Sequence, residues 1–172
     1  RLDDPVWTQL SDLLRQAWPH RSGAQMRIVR LAIDDGFNSQ VVRAWARKQS
    51  QAQVMAVRGN DRLTAEVSRG TYVDIDYRGK KITRGIRLYQ LGTGMFKDEF
   101  YGFLRLPIPE EGQPYQSGFC HFPQYDREHF QQLTAEALRP RESKGYTFHE
   151  WVKIRERNEA LDCRVYARGA AC

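Results

Sequence analysis

A short apolar run that breaks into two carboxylates and a glycine sets the strongest constraint on how this chain folds. Ile28, Val29, Leu31 and Ile33 lead directly into Asp34-Asp35-Gly36. Four aliphatic residues so close together predict a central strand over residues 27–33, buried on both faces of a sheet. Gly36 permits a sharp turn, and Asn38 or Ser39 can cap a helix over residues 39–49 whose stripe is Val41, Val42, Trp45 and Ala46. Two acids therefore stand where a strand stops and a helix starts, which is where open α/β sheets build their sites.

The rest of the chain alternates in the same manner. Asp4-Pro5 opens a helix to about residue 17, stopped by Pro19. Strands are expected at 53–57, 87–91, 119–123 and 146–154. Helices are expected at 95–104, 127–138 and from Asn158 onward. The order predicts one α/β domain over residues 1–172, with a mixed or mostly parallel sheet and helices on its faces. Residues 62–86 differ in kind. Arg69, Arg78, Lys80, Lys81 and Arg84 are interleaved with Gly70, Gly79 and Gly85. That stretch reads as a basic surface loop or irregular hairpin, either plainly solvated or contacting DNA phosphates through Arg78, Lys80, Lys81 and Arg84.

Charge favours a polyanionic partner only weakly: 27 Lys plus Arg stand against 21 Asp plus Glu, a net of +6. No apolar run reaches the roughly 20 residues of a membrane span, so no membrane partner is expected. Cys120, Cys163 and Cys172 lack metal-ligand spacing and read as thiols of a reducing compartment. Gly92-Thr93-Gly94 opens a helix but lacks the rest of any nucleotide-binding pattern, and Lys97 in its first turn is either a surface charge or a contact to a backbone phosphate. His121 on a short strand is expected to be packed rather than catalytic. On the last helix, Asn158, Glu159 and Asp162 share a face, because positions three and four apart are neighbours. A helix acid facing a strand-end acid is the arrangement that two-metal phosphodiester hydrolysis needs, with hard oxygen ligands favouring Mg²⁺ or Mn²⁺.

Several blocks carry a resemblance. Arg-Asn-Glu-Ala-Leu-Asp-Cys-Arg-Val-Tyr-Ala at 157–167 resembles the end of the nuclease domain of lambda-type (gpA family) phage terminase large subunits. So do Asp34-Asp35-Gly36, Leu91-Gly92-Thr93-Gly94-Met95-Phe96-Lys97-Asp98, and Cys120-His121-Phe122-Pro123 with Gln132-Leu133-Thr134-Ala135-Glu136. The resemblance implies an RNase H-like domain that cuts concatemeric viral DNA during packaging in the cytoplasm of an infected or lysogenic bacterium. It implies Asp34 and Asp162 as catalytic metal ligands, Glu159 as an auxiliary acid, and two Mg²⁺ or Mn²⁺ ions. Asp34 is preferred over Asp35. It also implies double-stranded DNA as substrate, with a packaging ATPase domain, a small terminase subunit and a portal as partners of the full-length protein. The opening hairpin strands of such a fold, with their first carboxylate, and the ATPase are not found in these residues, so this fragment is expected to be weak or silent alone. The competing readings are a non-catalytic DNA-binding or portal-docking module, and an unrelated RNase H-like enzyme such as a resolvase.

Overall fold

The computed structural model describes residues 4–172. Helix α1 (Pro5–Arg15) starts where Asp4 accepts a hydrogen bond from the Val6 amide. A small antiparallel hairpin, β1 (Ala17–Pro19) with β2 (Gln25–Arg27), leads to β3 (Leu31–Asp34), α2 (Ser39–Ala46) and β4 (Val54–Gly59). The long hairpin β5 (Thr71–Tyr77) and β6 (Lys80–Leu91) follows, then α3 (Thr93–Phe103) and α4 (Arg127–Leu133). A second ribbon, β7 (Glu136–Ser143) with β8 (Tyr146–Lys153), precedes α5 (Glu159–Ala170).

The main sheet has the order β3-β4-β6-β5, with β3, β4 and β6 parallel and β5 antiparallel. It is the mixed sheet flanked by helices that the sequence implies, and it is consistent with an RNase H-like nuclease fold. Val54, Met55, Ala56 and Val57 of β4 are all buried, and they alternate between two cores as a strand must. Val54 and Ala56 join Leu14, Trp45, Ala46, Ile75 and Ile86 on the α2 side. Met55 and Val57 join Leu91, Phe96, Phe100, Leu133, Leu161 and Val165 on the α5 side. Each fully buried aliphatic or aromatic side chain contributes about 1.5–3 kcal/mol. Trp45, 3% exposed, clamps α1 to α2 by donating its indole N–H to Trp7 O and Ser11 Oγ.

Several expectations need correction. The strand before Asp34 is not central: β3 is the edge strand, its Leu31, Ala32 and Ile33 only half-buried, and Val29 is 83% exposed. The doubly buried signature belongs to β4. Residues 62–86 do hold an irregular hairpin, but it is built into the fold and not a surface excursion, since Ile75 and Ile86 are core residues and β6, expected only from residue 87, begins at Lys80. Arg78 and Gly79, both at positive φ, form its tight turn. Asn38 precedes α2 in a left-handed conformation and gives no side-chain cap. The segment 119–123 forms no strand; there His121 packs edge-on to Tyr115, as a structural histidine would. The helix expected to residue 138 ends at Leu133, because Glu136, Ala137 and Leu138 pair with Lys153, Val152 and Trp151 across β7–β8. No helix among the described residues is long and apolar enough to cross a membrane, and the three cysteines are free thiols.

Candidate active site

Strand alternation decides what each member of the Asp34-Asp35 pair does. Asp35 turns toward α2 and is fully buried. Its Oδ1 accepts from Arg43 Nε at 2.8 Å, and its Oδ2 accepts from Arg43 Nη2 at 2.7 Å and Arg58 Nη2 at 2.8 Å. Both oxygens are consumed by guanidinium groups, so Asp35 is a structural anchor between the end of β3, α2 and β4. Asp34 turns the other way and is exposed.

Asp34 and Asp162 line the same cleft, a cavity of about 470 Å³ bounded by β3 residues 31–34 and by Glu159, Asp162, Cys163 and Tyr166 of α5. Asp34 comes from the end of a strand and Asp162 from the first turns of a helix. Tyr166, one turn beyond Asp162, donates its hydroxyl to Asp34 Oδ1 at 3.3 Å. Burial, and then the negative charges of Asp34 and Asp162, push the Tyr166 phenol well above its usual range, so it stays a donor. Burial first, and then the charges of Glu136 and Asp34, hold the Asp162 carboxyl above the usual carboxylate range. Asp162 is half-buried, and its carboxyl takes part in no hydrogen bond or ion pair among the described residues. Glu159 stands exposed at the rim, paired with Arg157 at 3.3 Å.

Two glycines make room for this arrangement. A Cβ on Gly36 would come within 2.8 Å of Asp34 Oδ2, and one on Gly59 within 3.2 Å of the Tyr166 hydroxyl. Gly36→Ala should therefore swing the Asp34 carboxylate out of place while costing little stability, because only a flexible side-chain end is displaced. A thermal melt within about 0.5 kcal/mol of wild type, together with a clear loss of whatever activity depends on Asp34, is the expected pair of results.

Behind Asp162 lies a polar network that the sequence did not reveal. Lys97, expected at the surface or on a phosphate, is 6% exposed. Its ammonium lies 2.8 Å from Glu136 Oε2 and 3.1 Å from Asp61 Oδ1. Thr93 Oγ1 donates to Asp61, and Asn158 Nδ2 donates to Glu136 Oε1 at 3.0 Å. With its charge enclosed between two carboxylates, Lys97 is not available to DNA. Glu136 escaped notice because its neighbours read as helix; a buried acid at the start of an unrecognised strand leaves no periodic signal. The tip of the basic hairpin sits on the α2 side of the sheet. Arg78 and Lys80 border a hollow with Ala44, Arg47 and Lys48 of the α2 side, Lys81 pairs with Asp74 at 3.5 Å, and Arg84 stacks over Tyr72. It does not line the Asp34–Asp162 cleft.

The donor chemistry of the cleft suits a hard cation: two oxygen acids converge, and the nearby lysine is engaged elsewhere. Among the described residues no three acidic, histidine or cysteine side chains already form a closed cage.

Comparison with known proteins identifies the family. The model of the endonuclease domain of the terminase large subunit gpA matches residues 2–172. The chain belongs to that family. It is 28% identical over 173 residues to the terminase large subunit of Escherichia phage lambda, covering 98% of this chain and 26% of the relative. The terminase large subunit of Enterobacteria phage P21 is 29% identical over 161 residues, covering 91% of this chain and 24% of the relative. The chain thus spans about a quarter of the length of these gpA-type relatives. No solved structure matches it. Within the family-matched region, the blocks around Asp34 and Asp162 are the ones that fold together at the cleft.

Proposed function

We propose that this gpA-family domain is a divalent-metal-dependent endodeoxyribonuclease that cuts concatemeric viral DNA for packaging, with Asp34 and Asp162 as its metal ligands. The observation that carries the reading is the convergence of these two acids, from a strand end and a helix, on one open cleft in which the Asp162 carboxyl has no protein donor among the described residues. A pair of Mg²⁺ or Mn²⁺ ions bound there would activate water and stabilise the leaving oxygen of the phosphodiester. The chain's own residues do the positioning. Tyr166 fixes the Asp34 carboxylate through its hydroxyl, Gly36 leaves that carboxylate its space, and Glu159 adds negative charge at the rim. A docking or DNA-gripping module without chemistry has no use for two acids brought together in this way.

Two aspartates neutralise only part of the charge of two divalent ions. The outer edge of β3 pairs with no strand among the described residues, and it borders the same cleft. A further strand seated on that edge is well placed to bring a third carboxylate, and parallel strands normally lie inside sheets. Comparison of the 172-residue chain with a version carrying the native upstream sequence, in a plasmid-nicking assay with Mn²⁺, Mg²⁺ and chelator, tests this. Strong chelator-sensitive nicking by the longer form and feeble nicking by the shorter is expected. No nicking by the longer form under any metal would refute the nuclease reading.

A further inference from the structure

The cleft of acids needs a surface that holds the DNA, and the basic hairpin tip is not the strongest candidate. A hollow of about 770 Å³ opens where β5, β6 and the segment after α2 meet. Arg47, Arg84 and Arg87 converge on it, together with Tyr72 and Tyr89, and no carboxylate lines it. All three arginines are exposed, and none forms an ion pair among the described residues. Lys81 and Lys97, by contrast, face carboxylates.

The hollow is built rather than accidental. The β5–β6 register shifts between Val73 and Ile75, where β6 carries two extra residues, and within that bulge Arg84 adopts a left-handed φ of 50°. A non-glycine residue in that region is strained, and bulges commonly re-aim a side chain. The strain is held by Asp74, whose Oδ1 accepts from the Arg84 amide at 2.9 Å. The outcome is that the Arg84 guanidinium lies 4.7 Å and that of Arg87 5.1 Å from the ring centre of Tyr72. The ring serves as a platform for the arginines and is not offered to a base; Arg87 also bonds to Tyr89, and with no carboxylate in the hollow the guanidinium groups present donors to phosphate oxygens. Arg47 is tied to the same bulge by donating to Gly85 O.

The hollow reaches the face of the sheet that α5 covers, because Tyr89 packs against the core that holds Leu161 and Val165. Tyr89 is shared with a neighbouring cavity of about 440 Å³, which Arg30 also lines, and Arg30 in turn borders the Asp34–Asp162 cleft. We infer that Arg47, with Arg84 and Arg87 arrayed on Tyr72, binds the phosphate backbone of duplex DNA without reading sequence. This rests on the nuclease reading for the identity of the polyanion, and on the hollow itself for its location.

The test is DNA binding without catalysis. A fluorescent duplex is titrated with the 172-residue chain in chelator across a salt series. Comparison is made with Arg84→Gln/Arg87→Gln, Arg84→Lys/Arg87→Lys and Lys80→Ala/Lys81→Ala. Each phosphate contact adds about 0.9 to the slope of log affinity against log salt. The double Gln variant should lose about two units of that slope and bind roughly tenfold or more weakly on every sequence tried. The Lys variant should keep most of the slope because it keeps the charge, and the hairpin-tip protein should match wild type. If the double Gln protein fails to fold, Arg87→Gln alone should lose about one unit. An unchanged slope in a folded Gln variant, or a loss carried instead by Lys80 and Lys81, would overturn the site. Arginine-dependent binding with no cleavage by any longer form would instead leave the site standing and remove the nuclease reading.

Discussion

Asp34→Asn and Asp162→Asn, each made in the form of the protein with native upstream sequence, should abolish metal-dependent DNA cleavage while leaving the melting temperature close to wild type. Asparagine keeps the shape of aspartate but not the charge that holds a divalent cation. Asp34 is exposed and its carboxylate receives only one hydrogen bond among the described residues, from Tyr166, while the Asp162 carboxyl receives none, so neither change removes a structural contact of weight. Loss of charge at Asp162 should even relieve the burial of a charge, and then the crowding with Glu136 and Asp34, that raise its pKa. Cleavage as fast as wild type by both variants would mean that the two acids are not the metal ligands.

The adjacent residue should behave in the opposite way. Asp35→Ala leaves Arg43, 13% exposed, without its carboxylate partner, and takes from Arg58 its carboxylate bond, leaving it only the bond to the Asp35 carbonyl. Breaking a buried pair from one side costs roughly 3–5 kcal/mol. For a domain of this size each kcal/mol shifts the melting temperature by about 2–4 °C, so a drop on the order of 10 °C is expected by calorimetry. A melt unchanged by Asp35→Ala would show that the Arg43–Asp35–Arg58 cluster does not hold the turn between β3 and α2. The contrast between neighbours is itself informative, because strand alternation, and not chemistry, assigns one acid to the core and the other to the cleft.

That contrast also marks how far the chain could be read from its residues. The period-2 rule and the Asp-Asp-Gly break were legible, as were the capped first helix, the β4 run at 54–57 and the last helix with Asp162 on it. What the periodicity could not give was sheet order. Leu31 and Ile33 look like central-strand residues, yet β3 lies at an edge because pairing is a long-range property. The β5–β6 hairpin was misjudged for the opposite reason: its surface charges hide Ile75 and Ile86, two inward residues among many outward ones. Glu136 and Lys97 were missed or misplaced because a buried ion pair is defined by partners distant in sequence, here Asp61, Glu136 and Asn158. The candidate site residues that were found came from strand-end and helix-face positions, where local geometry predicts direction.

The central claim is that the Asp34–Asp162 cleft holds the catalytic cation. Diffraction from crystals of the 172-residue chain soaked in Mn²⁺, with the anomalous signal of the metal recorded, tests it most directly. The account predicts an anomalous peak within about 2.1–2.2 Å of carboxylate oxygens of both Asp34 and Asp162, absent in the Asp162→Asn crystal. Manganese bound at Asp61 or Glu136 with the cleft empty, or a peak that persists unchanged in Asp162→Asn, would contradict it.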